Sequence, residues 1–167
     1  MRRFRRRAAV APVAEIMFDW FSNKSKAKRG HVTITHDMIA LPSGVRVVRL
    51  RCSGYYPPGC SGRPQTETIY ETGARAFIAT GADAVLLDIA DLDYVWGDDL
   101  LRALDIPDHE TIRRDDCPTA VIIGSKCQEA VQSLVADGCD NWQDANLLFF
   151  NEASALEQLS RHAHKRV

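Results

Sequence analysis

The chain has 167 residues, 46% hydrophobic and 26% charged, an ordinary make-up for a globular domain with a sizeable core. No stretch approaches the roughly 18 to 20 consecutive apolar residues that cross a bilayer. The net charge of −1 hides an asymmetry: residues 1–30 hold nine Lys/Arg against Glu15 and Asp19, about +7, leaving about −8 on the rest. An acidic folded part argues against nucleic acid as its main partner, and none is expected.

Residues 1–30 come first, and they are expected to be a disordered extension. An Arg-rich start ahead of a short apolar stretch has the outline of a signal peptide, but Pro12 and Glu15 break the apolar part early. Ile16, Met17, Phe18, Trp20 and Phe21 lie between basic flanks, so attachment to a membrane surface or an anionic partner is a second reading. A third is that the native product of a small cytoplasmic bacterial protein starts at Met17, with residues 1–16 upstream of it. Membrane contact is possible only through this tail.

A single domain is expected over residues 31–167. His31–Thr35 alternates with β-branched residues and reads as a strand; Pro42-Ser43-Gly44 is a turn, and Val45–Leu50 a second strand. The two pair as an antiparallel hairpin with a long connection around Met38–Leu41. Ser53–Gln65, rich in Gly and Pro, reads as a loop of unusual length, the kind retained for a use. Thr66–Thr80 is a helix stopped by Gly81, and Ala84–Ile89 a buried strand.

A loop over Asp91–Asp98 leads to a helix that starts at Gly97 or Asp98 and ends before Pro107. Thr119–Ile123 is another buried strand. Ser125 with Gln128 forms a capping-box pattern, ahead of a helix with Val131, Leu134 and Val135 inward. Leu147–Phe150 is the last strand. Asn151 caps a final helix with Ala155, Leu156, Leu159 and Ala163 inward, and Arg161, Lys165 and Arg166 suit its C-terminal dipole.

Strand–helix alternation with continuously apolar strands implies an α/β fold, a mixed and mainly parallel sheet with an N-terminal hairpin and helical cover. Right-handed crossovers gather the strand-to-helix loops at one sheet edge. That rim holds Tyr55, Tyr56, Arg63, Trp96, Gly97, Asp98, Asp99, Ser125 and Lys126, the candidate partner-binding residues. Aromatics and Arg dominate binding hot spots. Trp96 either stands outward as an anchor or folds back as a plug; the Tyr55–Tyr56 pair beside Pro57-Pro58 is expected to be exposed.

The stretch AVLLDIADLDYVWGDDLLRAL, Ala84 to Leu104, resembles the central segment of the STAS domains (sulfate transporter and anti-sigma-factor antagonist). That family has roughly Asp-Leu-Ser, a hydrophobic stretch, Asp-Ser-Ser-Gly and a leucine-rich helix. NLLFFNEASALEQL, Asn146 to Leu159, looks like the family's final strand and helix, and the element order matches from about His31 to Ala163. The resemblance implies a regulatory or adaptor domain that binds a protein partner, or a small ligand, and performs no catalysis. Setting Asp88 on the family's first aspartate puts Trp96, Gly97, Asp98 and Asp99 where the family has Asp-Ser-Ser-Gly. The phosphorylatable serine is therefore missing, so a kinase-controlled switch is not implied. Asp98 would supply a permanent negative charge, or with Asp99 simply stabilise a helix N-terminus, the reading favoured here.

No cofactor or metal is expected. The five cysteines, Cys52, Cys60, Cys117, Cys127 and Cys139, show neither CxxC nor metal spacing and suit a reducing cytoplasm. Cys52 and Cys60 flank a tight loop and could oxidise together, but the compartment argument favours reduced thiols. Cys127 beside Lys126 is either a reactive thiol or a small buried hydrophobe, the second being favoured. His162 and His164 share no helix face, and Asp91, Asp93, Asp98, Asp99, Asp105 and Asp108 read as a solvated acidic surface. The acidic body suits a protein partner with a basic patch. The rival reading is an enzyme-like α/β domain of distant crotonase type that binds an acyl-CoA or a nucleotide. Against it stands the lack of a glycine-rich segment after Thr119–Ile123.

Overall fold

Thr33–Ala40 forms β1 and Arg46–Tyr55 forms β2, paired antiparallel from Thr33 opposite Ser53 to Ala40 opposite Arg46. Both strands outrun the sequence expectation. Met38–Ala40 belongs to β1, and the connection is a tight turn in which Gly44 donates to the Leu41 carbonyl and Leu41 to that of Val45. The computed structural model describes residues 31–110, 112, 117–138 and 147–164. The expected disorder of residues 1–30 therefore lies outside the described residues, as do Cys139, Lys165, Arg166 and the side chain of Ala163.

From β2 the chain passes through a 3₁₀ turn, Gly59–Gly62, into α1, Arg63–Thr80. All but Tyr56–Pro58 of the supposed loop is thus regular structure. Pro64 sits in the first helical turn, where a missing amide hydrogen costs nothing. Gly81 ends α1 with a left-handed φ of 58°. β3 covers Ala84–Asp93, four residues longer than Ala84–Ile89. α2 is a short helix, Leu100–Leu104, and a 3₁₀ turn over Ile106–Asp108 takes in Pro107. β4 is Thr119–Ile122, α3 is Gln128–Gly138, β5 is Leu148–Phe149 and α4 is Glu152–His164.

The sheet order is β1-β2-β3-β4-β5, with every pair after the hairpin parallel. The fold is α/β with a mixed five-stranded sheet. Sequential order has a steric consequence. Each crossover steps in the same direction, so right-handed connections put α1, α2 and α3 on one face. Their Ile69, Phe77, Leu100, Leu104, Val131 and Leu134 pack there with Val48, Leu50, Val85, Leu87 and Val121. The final helix returns under the other face, where Ala155 and Leu159 cover Val47, Ala84, Leu86, Ala120 and Ile122. Both strand faces are buried, which is why these strands read as continuous apolar runs.

On the α4 face, Arg49 is nearly buried and forks to the Asp37 carboxylate across the hairpin, with a second ion pair of 2.6 Å to Glu152 at the start of α4. These bonds hold the Arg49 guanidinium above, and the Asp37 carboxyl below, their ordinary ranges. The pair fixes the edge strand and the last helix to the same point of β2.

Among the described residues no helix is long and apolar enough to cross a membrane.

Candidate functional site

The rim at the C-terminal ends of β2, β3 and β4 is built from two loops that lock together by backbone. The Gly59 amide donates to the Trp96 carbonyl at 3.1 Å. Gly59 and Gly97 both take positive φ, 59° and 140°. A β-carbon at Gly59 would lie 2.7 Å from the Trp96 ring, and one at Gly97 would lie 3.0 Å from the Gly59 amide nitrogen. Glycine at both positions is what lets the loops touch. A bulge in the β2–β3 register, between Arg51 and Ser53, shifts the pairing at the end of β3 just before this contact.

Trp96 is 56% exposed, with its indole against the Gly59 backbone. It stands outward, and the plug is made by other residues. Tyr94 and Tyr56 are 2% and 0% exposed and meet edge to face, with ring centroids 5.4 Å apart. The Tyr94 hydroxyl donates to the Gly97 carbonyl at 2.9 Å, pinning the loop from below. The Tyr56 hydroxyl bonds the hydroxyl of Thr66 at 2.7 Å, itself 1% exposed. Burial pushes both phenols above their ordinary pKa.

The expectation that Tyr56 faces solvent is therefore wrong. Its ring occupies the place of the missing Gly62 side chain, since a β-carbon there would meet the ring at 2.2 Å. Tyr55 is half-buried opposite Asp93, and Arg63 is exposed at the start of α1.

Asp98 is exposed and Asp99 half-buried; neither side chain caps α2, whose first turn is closed by the Asp98 and Asp99 carbonyls receiving Leu101 and Arg102. Ser125 and Lys126 are exposed in the turn after β4, and Lys126 pairs with Asp91 at 3.1 Å. The expected capping box is absent. The Gly124 carbonyl receives the Cys127 and Gln128 amides, so the turn leading into α3 is closed by backbone and not by the Ser125 side chain. Gly124 itself packs on β3, where a β-carbon would meet the Ala90 carbonyl at 2.4 Å. The three loops therefore share one edge; of the candidates Tyr56 is withdrawn into the core and Gly97 is buried in the loop contact.

Beside Trp96 opens a groove of about 460 Å³ between the β3–α2 loop and α3. Val95, Trp96 and Leu101 form one wall, Ala130 and Leu134 the other, and Asp98 stands in its lining. Val95 is 45% exposed, so two large apolar side chains face solvent side by side. Tyr94 and the α3 wall were missed as contributors. Alternation of Leu92 and Tyr94 past the end of the expected strand was a signal for the first; nothing local marks the second.

The two buried thiols of this region are shielded from solvent. The Cys127 thiol is 1% exposed, donates to the Ile89 carbonyl at 3.2 Å, and burial raises its pKa, so it is the small buried hydrophobe and not an activated thiol. Cys52 is pushed up to about 12 by burial and is unpaired with the exposed Cys60. Among the described residues no group of three or more His, Cys, Asp or Glu side chains converges. No protein-family model matches the chain, and neither does any curated protein.

Proposed function

We propose that this chain is a non-catalytic regulatory or adaptor module of the STAS type, which captures a protein partner bearing a basic patch on the rim at the ends of β2, β3 and β4. The observation that carries the reading is Trp96: a large aromatic held outward on the Gly59 backbone at the mouth of an apolar groove, with an exposed carboxylate two residues on. Preset aromatics beside a pocket are the usual anchors of binding energy, and flanking charge steers encounter. A hairpin followed by parallel strand–helix units supports the STAS resemblance at the level of element order. The unpaired thiols of Cys52, Cys60 and Cys127 among the described residues suit a reducing compartment, and the cytoplasm is the proposed location.

The test is capture from the native host by wild-type, Trp96→Ala and Asp98→Lys chains, with captured proteins compared by mass spectrometry. The reading expects one protein with a basic surface to be lost at least tenfold in both variants, each retaining the wild-type unfolding midpoint within about 0.5 kcal/mol, the scale of surface substitutions. Equal capture by all three overturns it. A thermal-shift screen with acyl-CoA and nucleotides tests the enzyme-like rival. A ligand present at one hundred times its dissociation constant would add about 2.7 kcal/mol, and such a shift would favour that rival.

A further inference from the structure

The place where residues 1–30 join the fold is set by the hairpin. Because β1 runs antiparallel to β2, its first residue, Thr33, lies opposite Ser53 near the end of β2. The His31 carbonyl oxygen sits only 2.5 Å from where a β-carbon would project at Gly54. The N-terminal segment therefore meets the body at the rim that carries Gly59, Trp96 and Asp98, and not at the opposite end of the sheet.

The chemistry of that segment is the complement of the groove. It offers Met17, Phe18, Trp20 and Phe21, followed by Lys24, Lys26, Lys28 and Arg29. The groove offers Val95, Leu101 and Leu134 for the apolar group and Asp98 for the basic one, and Asp99 lies next to it. We propose that Met17–Arg29 of the same chain is the groove's resident occupant, its aromatics laid between Trp96 and α3 and its basic residues along the acidic rim. This rests on the reading of the groove as a docking face, though not on the identity of any partner. An outside partner then binds by displacing the chain's own segment.

The tether is long enough. Trp20 is eleven residues from His31, about 36 Å fully extended. As a flexible coil the same length averages about 18 Å. From β1 to β3 is two strand spacings, about 10 Å, and the helical layer lies about 10 Å above the sheet. Those steps combine to about 14 Å, within the coil average. A short tether gives an effective concentration of about 1 mM, so a contact of only about 0.1 mM affinity stays closed roughly nine-tenths of the time.

The experiment uses the full chain with Trp20 replaced by the photoreactive p-benzoylphenylalanine, irradiated and mapped by mass spectrometry, with isotope-mixed chains to separate adducts within a chain from those between chains. Adducts are expected on residues 94–101 and 130–134 of the same chain. They should fall at least fivefold in Ser133→Arg, a bulky charge on the groove wall, and remain in Ala153→Arg on α4. Asp98→Lys serves as a second groove variant should Ser133→Arg misfold by circular dichroism, and it should lower the yield likewise. Adducts without enrichment at the groove, or adducts mainly between chains, overturn the proposal. Flotation with anionic vesicles that needs Phe18 and Trp20, in the absence of groove adducts, overturns it in favour of a membrane surface. Groove adducts with no partner captured would sink the partner reading and leave this one; partner capture that depends on Asp98 without groove adducts would do the reverse.

Discussion

Replacing Tyr56 by Phe separates a structural tyrosine from a binding one. The substitution keeps the ring and its edge-to-face contact with Tyr94 and removes one oxygen. That oxygen bonds the Thr66 hydroxyl at 2.7 Å, and neither residue exposes more than 1% of its surface. An ordinary hydrogen bond is worth about 1 kcal/mol net, and a buried group left unpaired adds about 1–3 kcal/mol. A loss of about 2 kcal/mol is expected. At a urea slope of about 2 kcal/mol per molar, this moves the unfolding midpoint down by about 1 M with the slope unchanged. Thr66→Val removes the other hydroxyl. The double variant should then be less destabilised than the sum of the single variants by about 1 kcal/mol, since no orphaned group is left. Urea unfolding followed by far-ultraviolet circular dichroism measures all four proteins. A midpoint for Tyr56→Phe indistinguishable from wild type, or strict additivity, would refute the assignment of Tyr56 to the core.

Two further outcomes concern pH. Burial and the neighbouring Asp108 push Asp105 up to about 6. A carboxyl raised in the folded state stabilises the fold below its unfolded value of about 4 and loses that contribution as pH rises through about 6. Asp105→Asn should therefore stabilise at pH 7.5, by about 1 kcal/mol after solvent screening of a half-buried group, and have no effect at pH 3.5; equal effects at both pH values would contradict it. Asp37 behaves oppositely. The hydrogen bond from Arg49 depresses its pKa, so its contribution is present above about pH 4 and lost in more acid solution. Asp37→Asn should cost about 0.5–1 kcal/mol at pH 7, after solvent screening of a half-exposed carboxylate, with wild type and variant converging below pH 3 in the same urea assay.

The order of elements was legible because burial on both strand faces writes continuous apolar runs, as in Ala84–Leu87 and Ala120–Ile123, and because Gly81 and Asn151 mark helix ends. Asn151 does cap α4, accepting the Ser154 amide at 2.9 Å. Boundaries failed where a composition cue outweighed geometry. Gly, Pro and Ser around residues 53–65 signal a loop, yet Pro64 is at home in a first helical turn and Gly59–Gly62 form a 3₁₀ turn. Tyr56 was misread for the same reason: a glycine-rich neighbourhood suggested solvent, whereas Gly62 gives the ring room to enter. The loop rim could be placed from crossover handedness alone. Its groove could not, because Leu101 comes to face Ala130 and Leu134 only once α2 and α3 are packed side by side.

The two flanks of the sheet are unequal. β1 spans eight residues and β5 only two among the described residues. A foreign extended peptide laid along β5 would find few open amides and carbonyls, while along β1 it would find a full row of them. Any lateral growth of this sheet, whether useful or pathological, is thereby directed to one side, where the half-exposed carboxylate of Asp37 and the exposed ring of His36 stand as its guards.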